Sequence, residues 1–81
     1  MENSRMTAAR GAVSRYYESI GEPIEYEKIF IVWFSKILGN WKALVSTDLR
    51  DGRYFEVTFD GNANKIYLDV YVKNENVVYD N

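Results

Sequence analysis

The sequence predicts an α+β fold, an N-terminal helix packed on one face of an antiparallel β-meander of about four strands. Three observations predict it. Met6, Ala9, Val13, Tyr16, Tyr17 and Ile20 recur at three- and four-residue spacing, which sets them on one stripe of a helix. From Lys28 onward the pattern gives way to β-branched and aromatic runs with a period of two. The links between these runs are short, which favours sequential antiparallel pairing and leaves the helix as the only cover for the sheet's apolar face.

The helix is expected over about residues 4–20. Asn3, Ser4 or Thr7 can cap its start, Gly21 suits the left-handed residue after its end, and Pro23 blocks continuation. Arg5, Arg10, Ser14, Arg15 and Glu18 fall off the stripe and are expected in water. Residues 21–27 form an acidic connector, and the sheet is expected over about residues 28–73. Its first half is the hairpin KIFIVWFSKILGNWKALVSTD, Lys28 to Asp48. A two-residue Gly39-Asn40 turn sets Leu38 opposite Trp41. Alternation then predicts a core face of Phe30, Val32, Phe34 and Leu38 with Trp41, Ala43, Val45 and Thr47, and Lys36 as a misfit. Ile31, Trp33, Ser35 and Ile37 take the other face with Lys42, Leu44, Ser46 and Asp48. After a loop that turns at Asp51-Gly52, Arg53–Asp60 points Phe55, Val57 and Phe59 inward. A Gly61–Asn64 turn leads to Lys65–Lys73, with Ile66, Leu68, Val70 and Val72 inward. Residues 74–81 remain as a C-terminal arm, in which Val77, Val78 and Tyr79 could add a short strand.

All 81 residues fit one domain with one modest core. Hydrophobic residues at 47% and aromatics at 16% are too abundant for a disordered chain. The absence of Cys and His removes disulfides, thiolate catalysis, structural zinc and imidazole bases, and with them most small-enzyme chemistries. No catalytic, metal-binding or cofactor-binding motif is present, so neither an enzyme nor a cofactor is expected. No apolar run approaches a membrane span, and the first residues lack the layout of a signal peptide, so a cytosolic location is expected. A formal net charge of −2 provides no global basic field for nucleic acid.

Extending the register across the sheet places Tyr54 beside Tyr71, Glu56 beside Asp69 and Thr58 beside Tyr67 on the outer face, with Lys42 diagonal to the two acids. Facing carboxylates repel unless a cation intervenes, so a divalent-ion site and an acid–base pair both come to mind. A flat sheet supplies neither a cleft nor enough oxygen ligands, and a solvated face screened by Lys42 is the preferred reading. No metal is expected there. Ile31, Trp33, Leu44, Tyr54, Tyr67 and Tyr71 form the candidate interaction surface, because Trp and Tyr grouped on one exposed face are typical anchors of a protein contact. The competing reading is that the connector or the C-terminal arm folds over them. The same aromatics could stack bases, making a single-stranded nucleic-acid-binding module the alternative function, but the acids at the centre of the face disfavour it.

The runs VWFSKILGNWKALVST, DGRYFEVTF and YLDVY resemble a family of small uncharacterised proteins encoded by phages and prophages of Gram-positive bacteria, including staphylococcal phages. The likeness spans about Thr7 to Val77, with VWF…LGNWKAL as its specific part and a looser match in the helix. It implies a phage setting and the cytoplasm of an infected bacterium, and it assigns no residue a role. The function expected is that of a phage-encoded accessory protein acting by protein–protein contact, with a host or phage protein, with its own copy as a homodimer, or both.

Overall fold

The computed structural model describes residues 3–80; Met1, Glu2 and Asn81, the last residue of the expected arm, lie outside them. Helix α1 (Ser4–Ser19) is followed by a single 3-10 turn (Tyr26–Lys28) and strands β1 (Ile29–Ile37), β2 (Asn40–Thr47), β3 (Arg53–Asp60) and β4 (Lys65–Val72). The strands form one antiparallel sheet in sequence order. The α+β meander expected from the sequence is therefore the fold, with the helix on one face.

Both ends of α1 are closed by local chemistry. The Asn3 side chain accepts a hydrogen bond from the Met6 N–H at 2.9 Å, satisfying one of the free donors of the first turn. At the other end Gly21 adopts φ 75°, Glu22 N–H donates to Tyr17 C=O and Gly21 N–H to Glu18 C=O, the paired bonds of a Schellman cap. Ala9, Val13 and Tyr17 are fully buried against Ile29, Ala43, Val45, Phe55 and Val57, and Trp41 completes the core. Phe55 receives the rings of Tyr16 and Tyr17 edge-on at 5.5 and 5.6 Å.

Arg10 is not the wet residue that its place off the stripe suggests. Its Nε donates to Ile29 C=O at 2.8 Å and an Nη to Tyr26 C=O at 2.7 Å, while the guanidinium lies 3.8 Å from the centre of the Tyr26 ring. Helical periodicity sees only the apolar stripe. It cannot show that a long side chain beside the stripe will reach the carbonyls of the incoming strand.

The hairpin departs from expectation twice. Its turn is Leu38-Gly39, with Ile37 opposite Asn40 and Lys36 opposite Trp41, and the positive φ of 56° falls on Leu38. Local turn chemistry prefers glycine there. Packing wins: Trp41 lies between the rings of Phe34 and Phe59 at 5.6 and 5.8 Å. The slip moves the register by two residues, so parity is kept and Phe34, Trp41, Ala43, Val45 and Thr47 still face the helix. Leu38, expected inward, is exposed at the tip.

The second departure is a bulge. Ile31 pairs with Val45 and Trp33 with Leu44, leaving Val32 unpaired between them. Upstream of it alternation reverses, so Ile29 and Ile31 face the core while Phe30 and Val32, expected inward, are exposed. The tips of the two hairpins are joined: the Asn40 side chain accepts from Gly61 N–H at 2.8 Å, and a Cβ at Gly61 would run into the Gly39 carbonyl. Residues 73–80 adopt no regular structure, and Val77, Val78 and Tyr79 are exposed, so the described part of the arm adds no strand.

Candidate functional site

The outer face of the sheet is assembled from alternate residues of four strands. One row across it reads Trp33, Leu44, Glu56, Asp69, and the next reads Ser35, Lys42, Thr58, Tyr67. Toward the other end Tyr54 faces Tyr71, their rings stacked at 5.0 Å and 12° apart. The β3–β4 neighbours expected from the sequence, Tyr54 with Tyr71, Glu56 with Asp69 and Thr58 with Tyr67, are the ones observed, whereas β1 stands two residues from its expected register against β2. Five of the six candidate interaction residues share this face: Trp33, Leu44, Tyr54, Tyr67 and Tyr71. Ile31 does not, because the bulge turns it toward the helix, where it packs against the core. Phe30 takes its place on the outer side, opposite Ser46 and 45% exposed. A bulge has no reliable sequence signal, so Phe30 was beyond the reach of strict alternation.

The centre of the face is polar. Lys42 Nζ lies 3.3 Å from Glu56 Oε1, the diagonal neutralisation that facing acids require. The Glu56 carboxylate, with a smaller push from loss of solvent and then from Asp69, raises the Tyr71 hydroxyl above its ordinary value, since phenolate would add a third negative charge. The apolar area is accordingly split. Trp33, Leu44 and Phe30 lie toward β1, the Tyr54–Tyr71 stack and Tyr67 toward β4, and the charges run between. Beside Trp33 an open groove of about 310 Å3 is lined by Ser35, Ile37, Lys42 and Thr58. Among the described residues no group of three or more Asp and Glu gathers as metal ligands would.

No described segment covers this face. In the connector, Ile24 packs on the helix-side core and Tyr26 lies under Arg10, while the arm residues Val77 to Tyr79 stand in solvent. The other polar cluster serves the fold. The Tyr17 hydroxyl donates to Asp51 Oδ2 at 2.7 Å, Asp51 Oδ1 accepts from Arg53 N–H at 3.1 Å, and the Arg53 guanidinium reaches Asp51 and Glu22 at 3.1 and 3.3 Å. It fastens the end of α1 to the loop before β3. Among the described residues no helix is long and apolar enough to cross a membrane.

Fold and surface together define a small helix-on-sheet module that carries a free aromatic sheet face. The chain belongs to DUF6275, a family of unknown function whose match covers residues 6–81. No curated protein and no solved structure matches it.

Proposed function

We propose that this protein is a binding module, an accessory protein that acts by holding another protein chain against the outer face of its sheet. The observation that carries the reading is the uncovered grouping of Trp33, Leu44, Tyr54, Tyr67 and Tyr71, with Trp33 43% exposed and no described segment folded over them. Aromatic anchors flanking a charged strip suit a protein surface with complementary charge at its centre. A catalytic reading gains nothing from the sequence, which offers no His or Cys. The phage setting implied by the sequence resemblance belongs to this proposal, and with it the infected cell's cytoplasm as the place where the partner is met.

The test is affinity capture from phage-infected cells with wild type and with the Trp33→Lys/Tyr71→Lys double variant. A stoichiometric protein captured by the first and lost by the second supports the reading. A partner held equally by both, or none, overturns it. Tyr54 and Tyr71 stack on each other and flank acids, which leaves little for bases to stack on. Salt-sensitive binding of single-stranded oligonucleotides, abolished by the same variant, would transfer the face to nucleic acid.

A further inference from the structure

The two edges of the sheet are built differently. β1 is interrupted by the Val32 bulge, a feature that twists an edge away from regular pairing. β4 pairs with β3 without a break from Arg53–Val72 to Asp60–Lys65, so its free edge is straight, and it holds no proline. On its helix side, Ile66, Val70 and Val72 are 45%, 37% and 64% exposed, because α1 packs chiefly over β1 and β2. On its other side stand Tyr67 and Tyr71, also exposed. An edge strand apolar on its helix side and carrying exposed tyrosines among Lys65 and Asp69 on the other, with an unblocked ladder of N–H and C=O groups, is a pairing surface.

We propose that β4 pairs with β4 of a second copy, antiparallel about a two-fold axis through Leu68, to give a continuous eight-stranded sheet with both helices on one side. The proposal goes beyond the binding of a partner on the outer face and does not depend on it. The axis must stand perpendicular to the sheet, and facing residues must then have the same parity. Centres at Leu68 and Asp69 lie at the middle of β4 and keep most of the strand paired, and centres farther out keep less of it. An axis at Asp69 sets Asp69 against its own copy and Lys65 against Lys73, joining like charges. An axis at Tyr67 sets Lys65 against Asp69, but it pairs only residues 65–69 as strand and sets Val70 and Val72 against the turn residues Asn64 and Asn62. The axis at Leu68 sets Ile66 against Val70 and Leu68 against itself on the helix side, and Tyr67 against Asp69 and Lys65 against Tyr71 on the other, with Lys65 diagonal to Asp69 of the second copy. Leu68 is the centre that pairs most of β4, residues 65–71, without setting like charges against each other. Joining the edges also makes the two outer faces one surface, with a Tyr54–Tyr71 stack on each side of the axis.

The register is read directly by cysteine, since the chain has none to interfere. Tyr67→Cys, Leu68→Cys and Asp69→Cys are oxidised mildly and resolved on non-reducing gels, while wild type is sized by light scattering across a concentration series. The expected results are a mass rising to twice the 9.5 kDa protomer and a cross-link at Leu68→Cys at least tenfold above the other two. Val70→Lys, at a half-open position where the monomer can accommodate the longer chain, is expected to keep the wild-type circular dichroism spectrum and to stay monomeric. It decides the matter on its own if Leu68→Cys fails to fold. A wild type that remains monomeric at every concentration, a strongest cross-link at position 67 or 69, or a dimer that survives Val70→Lys each overturns the proposal, the last pointing to the outer face as the contact.

Discussion

Replacing Tyr17 with Phe removes one oxygen and leaves the packing in place. The ring is fully buried and meets Tyr16 and Phe55 edge-on at 5.6 Å each, contacts that Phe keeps. What is lost is the 2.7 Å bond to the Asp51 carboxylate. A hydrogen bond to a charged group contributes about 1.5–3 kcal/mol. Asp51 is a quarter exposed and retains Arg53, so water replaces part of the loss, and the expected cost at pH 7 is about 1–2 kcal/mol. In a domain of this size that corresponds to a fall in Tm of about 4–16 °C. The pH dependence identifies the bond. Burial alone would raise the Asp51 carboxyl, but the Tyr17 hydroxyl, the Arg53 N–H and the Arg53 charge outweigh it and hold it below its ordinary value. A carboxyl lowered by folding stabilises the fold at pH above its unfolded value, and that stability fades as pH falls through the lower folded value. The gap between wild type and Tyr17→Phe in urea unfolding is therefore expected to be full at pH 7 and to narrow below about pH 4. At the alkaline end, burial first and Asp51 second raise the Tyr17 hydroxyl, so wild type loses this contribution as pH climbs through that raised value. Equal stability at pH 7, or a gap unchanged from pH 7 to pH 2, refutes the reasoning.

Phe55→Ala opens a cavity under α1 where two tyrosine rings now rest; a loss of about 3–5 kcal/mol is expected, read as a collapsed urea midpoint, and a loss below 1 kcal/mol refutes the placement of the core there. Gly61→Ala forces a Cβ into the Gly39 backbone and is expected to cost more than about 1 kcal/mol, with broadened amide signals at both hairpin tips. Deleting Val32, the unpaired and exposed residue of the bulge, leaves Ile31 opposite Val45 and Trp33 opposite Leu44; the protein is expected to stay folded while the straightened β1 edge drives association beyond a dimer, seen by light scattering.

What the sequence made legible was whatever depends on one period at a time. Tyr54 beside Tyr71, Glu56 beside Asp69 and Thr58 beside Tyr67 follow from two cleanly alternating strands joined by a short turn, because a single link fixes their relation. The helix ends were equally plain, since Asn3 and Gly21 act through bonds within a few residues. β1 was not plain. Its run IFIVWF is apolar on every side, so no polar residue marks which parity faces water, and the bulge decides the question through packing of Ile29 and Ile31 beneath α1. Arg10 escaped for a related reason: its partners are carbonyls, which leave no trace in side-chain pattern.

The bulge links the fold to the surface. With strict alternation β1 would send Phe30 and Val32 to the helix and Ile31 to the outer side, and the chain would bury a phenylalanine where α1 offers Ala8, Ala9 and Ala12. Small residues on a helix allow it to approach closely, and such an approach accommodates the shorter Ile29 and Ile31 better than an aromatic ring. One extra residue thus matches the inner face of β1 to a thin helix. It also puts Phe30 beside Trp33 on the outer face, and it breaks the regularity of the β1 edge. β4 needs no such adjustment, since α1 reaches only part of it, and its ladder stays regular to the end. The asymmetry of the edges is therefore a consequence of where the helix lies, and it leaves β4 as the side from which the sheet can grow.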